Sequence, residues 1–183
     1  MGASHARVLT DTAGSLLKDV VAVKQIEVRH ADEINNATID VLVERKCTKV
    51  VIGLGQWDAG WPRKRLTSFA DWERALSDVS RLFTEQPPNA PDPMDVVFRR
   101  MHYNPIGDIL QCNPKASDWR NPVVIDRYNT ILHTVCDRYG LPFLDTGVIM
   151  SPVWDSAADW CHYKDQNSSE AEALYLFDQL FFQ

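Results

Sequence analysis

Apolar positions along the chain change period several times, and each change marks an element. Lys49-Val50-Val51-Ile52-Gly53-Leu54 is a short β-branched run and predicts a buried strand. It enters Gly55-Gln56-Trp57-Asp58-Ala59-Gly60-Trp61-Pro62, where glycines and a proline demand a loop. From Ser68 to Glu85 the period becomes helical, with Phe69, Trp72, Leu76, Val79 and Phe83 on one stripe and Ser68 as the cap. Such a stripe belongs to a core. Gln86 to Pro93 holds four prolines in eight residues and links elements. Met94 to Arg99 predicts the next strand, and His102 to Trp119 an irregular loop. Pro122 opens a helix that Gly140 and Pro142 stop near Tyr139. Phe143-Leu144-Asp145 predicts a last short strand, and Ser168 to Phe182 a terminal helix capped by Ser168 or Ser169.

The first third of the chain is less regular. Residues 10 to 20 read as a short helix. Val20 to Val28 is β-branched and reads as a strand. Asp32 to Arg45 carries Ile34, Ala37 and Val41 at helical spacing, with Asp32 as the expected cap. Strands and helices therefore alternate, which implies an α/β fold with parallel βαβ units and helices on both faces of one sheet. In such sheets ligands bind beyond the carboxyl ends of the strands.

Composition narrows the classes. At 183 residues the chain has the length of one domain, with 45% hydrophobic and 24% charged residues. The net charge of −6 and the lack of a long basic run argue against a nucleic-acid partner. Arg63-Lys64-Arg65 is short and reads as a solvated helix approach. No apolar run nears the roughly 20 residues that span a bilayer, and no leader pattern opens the sequence. The four cysteines, Cys47, Cys112, Cys136 and Cys161, fit no zinc spacing and leave two disulfides or four thiols open. Asn36-Ala37-Thr38 and Asn167-Ser168-Ser169 are glycosylation sequons, relevant only in a secretory compartment.

Chemistry-bearing residues sit at both ends. Gly2-Ala3-Ser4-His5-Ala6-Arg7 opens the chain, and Asp159-Trp160-Cys161-His162 lies near its close. A serine hydroxyl needs an adjacent base to attack an ester. Imidazole suits that task near neutral pH, and a carboxylate holds it in the right tautomer. Taken singly, Ser4 could be a helix cap and Asp159-x-x-His162 a solvated turn. Gly2 permits a sharp turn before the serine. A serine at a helix start lies among oriented N–H groups that stabilise an oxyanion.

The order Ser4…Asp159…His162, with the last two three apart on one loop, resembles the SGNH/GDSL hydrolase superfamily. Gly-x-Ser-His-x-Arg at 2–7 resembles its PC-esterase branch, which includes polysaccharide O-acetyl esterases and acetyltransferases. The resemblance implies a three-layer α/β sandwich with a central, mostly parallel, flavodoxin-like sheet over residues 1–183 as one domain. Ala3 departs from the family's Gly-Asp-Ser. The family's first strand precedes the serine, so the resemblance also implies a fragment lacking that N-terminal strand, or a smaller sheet. It implies a secretory or Golgi setting and no cofactor.

In this reading Ser4 is the nucleophile, His162 the base and Asp159 its orienter. The oxyanion hole comes from the Ser4 N–H and the Gly55-Gln56 loop, where the superfamily places Gly-x-Asn-Asp and the branch a Gly-His-Trp type of segment. Gln56 stands in as an amide donor or is a plain loop amide. Arg7, Trp57, Trp61, His102 and Trp160 are the candidate substrate contacts. Trp154 is a further aromatic on these loops, since sugar rings rest on such faces. Arg7 equally suits pinning the serine turn, His5 packing beside the serine, and His102 anchoring its loop. The expected activity is a serine esterase or O-acyltransferase acting on ester-linked acyl groups, acetyl above all, of a glycan or similar small molecule. Two alternatives stay open: an inert carbohydrate-binding or interaction module, and, far weaker, a metal hydrolase using Asp159, His162 and His102, which lacks a dense ligand cluster.

Overall fold

The computed structural model describes residues 4–60, 68–85, 94–103, 122–153 and 166–182, with Ser4, His5, Ala6, Val153 and Gln166 described by backbone alone. The elements run α1 (Ser4–Leu16), α2 (Asn36–Glu44), β1 (Lys49–Ile52), α3 (Phe69–Thr84), β2 (Asp95–Arg99), α4 (Pro122–Tyr139), β3 (Phe143–Leu144), α5 (Gly147–Met150) and α6 (Gln166–Phe181). Among the described residues the sheet has three strands in the order β1-β2-β3, all parallel. Val50 pairs with Val96, and Phe98 with Phe143.

Strand alternation divides the sheet's two faces. Val50, Ile52, Val96 and Phe98 join a core with Trp72, Leu76 and Val79 of α3 and Ile125, Leu132 and Val135 of α4. Trp72 and Tyr128 lie 5.1 Å apart by ring centroid, and the Trp72 indole N–H donates to the Tyr128 carbonyl at 3.2 Å. The opposite face takes α6, where Arg99 at the end of β2 reaches Glu172. α1 packs against α6.

α3 and α4 keep the boundaries their signals predict, and α6 does not. Ser68 is not helical; its Oγ accepts the Asp71 N–H at 3.1 Å, capping α3. Pro122 starts α4, and Gly140 ends it with φ +65°. α6 begins at Gln166, so Ser168 and Ser169 lie buried inside its first turn and not at its cap.

Three early expectations are corrected. α1 begins at Ser4 and ends at Leu16, not over 10–20. Val20 to Val28 forms no strand; only Glu27 makes an isolated bridge. A strand needs a neighbour, and residues 21–26 pair with none among the described residues; with β1 they line a groove of about 490 Å³. Leu9, Leu17, Val21, Leu176 and Phe177 line it. Asp32 does not cap the second helix. Instead the Glu33 carboxylate accepts the Arg29 N–H at 2.7 Å and folds residues 31–33 into a 3₁₀ turn. Ile34 is then extended and buried, and Asn35 caps α2 by accepting the Ala37 N–H at 3.0 Å.

Candidate active site

The loops after β1 and β2 leave the sheet's carboxyl end side by side. Gly55 takes φ +106°, and a Cβ there would stand 2.7 Å from the Met101 sulfur. Glycine thus lets the first loop close against the second. The Gly55 carbonyl accepts the Ala59 N–H at 2.8 Å, rounding the turn. Gln56 then points inward: its amide donates to the His102 carbonyl at 2.6 Å, while its own oxygen is buried without a partner. The Gln56 side chain therefore ties the two loops together. Asn129 of α4 fixes the second loop by bonding both the N–H and the carbonyl of Met101, at 2.8 and 2.9 Å.

His102 is buried, not lining a cleft. Its Nε2 lies 2.8 Å from Glu172 Oε1 and 3.0 Å from Arg99 Nη1, and Arg99 Nη1 lies 2.5 Å from the same carboxylate oxygen. Burial holds the His102 pKa below its ordinary value, so the ring is neutral. With Nε2–H donated to Glu172, the Arg99 proton also goes to Glu172 and not to the ring. For Glu172 burial acts upward, but the Arg99 guanidinium and His102 outweigh it and hold the carboxyl well below the usual range. This buried trio locks β2 and its loop onto α6.

A part-buried pair joins the first loop to the segment before α2. The Asp58 side chain is fully buried, and its Oδ1 lies 3.0 Å from His30 Nδ1. Its Oδ2 has no hydrogen-bond partner, while its carbonyl accepts the Tyr128 hydroxyl at 3.2 Å. Burial pushes the Asp58 carboxyl up, and the bond to His30 pulls it back. That bond raises the His30 pKa against the effect of burial. Trp57 beside it is 43% exposed, edge-on to the His30 ring at 6.5 Å, with the Arg29 guanidinium 5.2 Å from its centroid.

Of the site residues expected from sequence, Ser4 is the first residue of α1 and Arg7 is exposed on the same helix. Gly55, Gln56 and Trp57 share one loop with its end held on His102. Asp159, Trp160, His162, Trp61 and Trp154 lie outside the described residues. The sequence reading missed His30, Asp58, Arg99 and Glu172. For His30 and Asp58 the signal was present: a histidine closing the Val20–Val28 run, and an aspartate ending Gly-Gln-Trp-Asp. Glu172 carried none, being one acidic residue on a helix. Among the described residues no His/Cys/Asp/Glu cluster could hold a metal, no helix is long and apolar enough to cross a membrane, and Cys47 and Cys136 are free.

No family model and no curated protein sequence matches the chain. Solved structures do match its fold. An acetyl xylan esterase superposes with a TM-score of 0.69 at 12% identity, covering 98% of this chain and 97% of that one. A carbohydrate acetylesterase from Sinorhizobium meliloti gives 0.67 at 13% identity over 94% and 83%. A lipase/acylhydrolase from Enterococcus faecalis gives 0.64 at 16% identity over 97% and 91%. The chain thus shares the α/β fold of these structures, a parallel sheet flanked by helices.

Proposed function

We propose that the protein is a serine esterase or O-acyltransferase that works through an acyl-enzyme on ester-linked acetyl groups of a glycan. One observation carries this reading. The fold matches two acetylesterases along nearly the whole chain, and Ser4 starts a 13-residue helix. At that position the serine lies among the unpaired N–H groups of the first turn, which favour developing negative charge.

Ser4 Oγ attacks the acyl carbon and His162 takes its proton. Asp159 orients His162 and stabilises its charged form. The tetrahedral oxyanion is held by the Ser4 N–H and by backbone N–H groups of the Gly55-Gln56 loop, since the Gln56 side chain is committed to His102. His162 then returns the proton to the leaving alkoxide. Water completes hydrolysis, or a sugar hydroxyl completes transfer. Arg7, Trp57, Trp61 and Trp160 contact the sugar.

Intact-mass spectrometry after treatment with a fluorophosphonate probe tests this assignment. The expected result is one adduct on the parent protein, absent in Ser4→Ala and His162→Ala. No adduct on a folded parent rejects the esterase and leaves an inert binding module.

A further inference from the structure

We propose that His30, Asp58 and Trp57 form a sugar-ring subsite, in which the ring rests on the exposed indole and His30 Nε2 bonds a ring hydroxyl. This inference rests on the glycan reading above and adds two residues to it. A buried carboxylate on Nδ1 fixes both the ring plane and the tautomer of an imidazole. With Nδ1–H donated to Asp58, the far nitrogen of neutral His30 carries the lone pair. Among the described residues His30 Nε2 has no hydrogen-bond partner, and the side chain keeps 15% of its surface open. Its neighbour is the partly exposed Trp57. An aromatic face next to an oriented polar atom suits a sugar ring, which offers C–H groups on its face and hydroxyls at its edge.

Burying Asp58 with one oxygen unpartnered costs stability that packing alone would not ask for. The carboxylate holds His30 and also takes a backbone hydrogen bond from Ala31, which fixes the turn that carries the imidazole. The charged groups facing His30 are Asp58 on the loop, Asp32 and Glu33 on the 3₁₀ turn, and Arg29 on its own segment. The three carboxylates favour the imidazolium, and the Asp58 hydrogen bond leads that effect. A sugar hydroxyl bonds either form, accepting from Nε2–H of the imidazolium and donating to the lone pair of the neutral ring, so the bond reverses direction with pH and is kept.

The test is titration of the full chain with unacetylated xylotetraose between pH 5.5 and 9. Intrinsic tryptophan fluorescence, read against Trp57→Phe to separate Trp57 from the other five tryptophans, and the His30 ¹⁵N shifts are followed, so turnover is not needed. Saturable quenching that Trp57→Phe diminishes and a coincident His30 shift are expected. His30→Ala, at a partly exposed position, weakens binding about tenfold, the loss of one hydrogen bond to an oriented group. Asp58→Asn lowers the His30 pKa read from its ¹⁵N shifts; circular dichroism on the variants verifies folding. Absence of a Trp57-dependent quenching overturns the subsite, as does unchanged affinity in His30→Ala. Fluorophosphonate labelling of Ser4 is independent of both readouts. A labelled Ser4 without saccharide binding rejects the subsite alone, and saccharide binding without labelling rejects the esterase alone.

Discussion

Glu172 shows how much one side chain can carry. It is the only carboxylate within bonding distance of the buried Arg99 among the described residues. Replacing it by glutamine keeps the volume but leaves the guanidinium buried without its counter-charge. Such losses run to about 3–5 kcal/mol, and urea denaturation of Glu172→Gln is expected to show a drop of that size. The pH dependence has a definite sign. The folded pKa of Glu172 lies below its unfolded value near 4.5, so its contribution is full above that value and falls away as pH drops below it. The acid limb of the parent's stability curve should flatten in the variant. Burial likewise pushes the Cys136 thiol up to about 12, so it should resist alkylating reagents until the protein unfolds. His102 was legible as a residue of interest because it follows a strand. Its partner stands 70 positions on, and no local pattern connects them.

At the level of elements, legibility followed punctuation. α3 was bounded correctly because a serine cap precedes an apolar stripe, and α4 because a proline and a left-handed glycine enclose it. These signals are local and physical, so their removal has local consequences. Ser68→Ala should lower stability by about 1 kcal/mol through the lost cap, read from a thermal melt. Trp72→Ala should cost about 3–5 kcal/mol, because Trp72 lies fully buried between the sheet and α4 and also donates to the Tyr128 carbonyl. Where two local signals competed, the reading failed. Asp32 and Asn35 are both good caps, and the choice fell to Glu33, which folds back onto the Arg29 and His30 N–H groups. Val20 to Val28 has strand composition, but composition supplies no hydrogen-bond partner.

Over the whole molecule, two helix layers close on a small parallel sheet, and α6 contributes on two fronts. It packs on α1 and supplies the carboxylate that neutralises Arg99. Deleting residues 166–183 removes both, and the shortened chain is expected to lose cooperative unfolding by circular dichroism. Parallel pairing offers no hairpin to hold strands together, so the sheet depends on the helices that cover it. The same dependence places the candidate site's loops. The Gly55–Ala59 turn, the Met101–His102 segment and His30 come from separate stretches of chain, and tertiary contacts with α4 and α6 bring them to one end of the sheet.

Period and punctuation alone determined the α/β class, the buried β1 strand and the bounds of α3 and α4, because each follows from neighbours within a turn or a strand. The tertiary structure decided which candidate side chains face outward. It turned Gln56 and His102 into internal ties, left Trp57 exposed, and joined His30 to Asp58. Burial and charge pairing depend on residues distant in sequence, and those are specified only once the chain is folded.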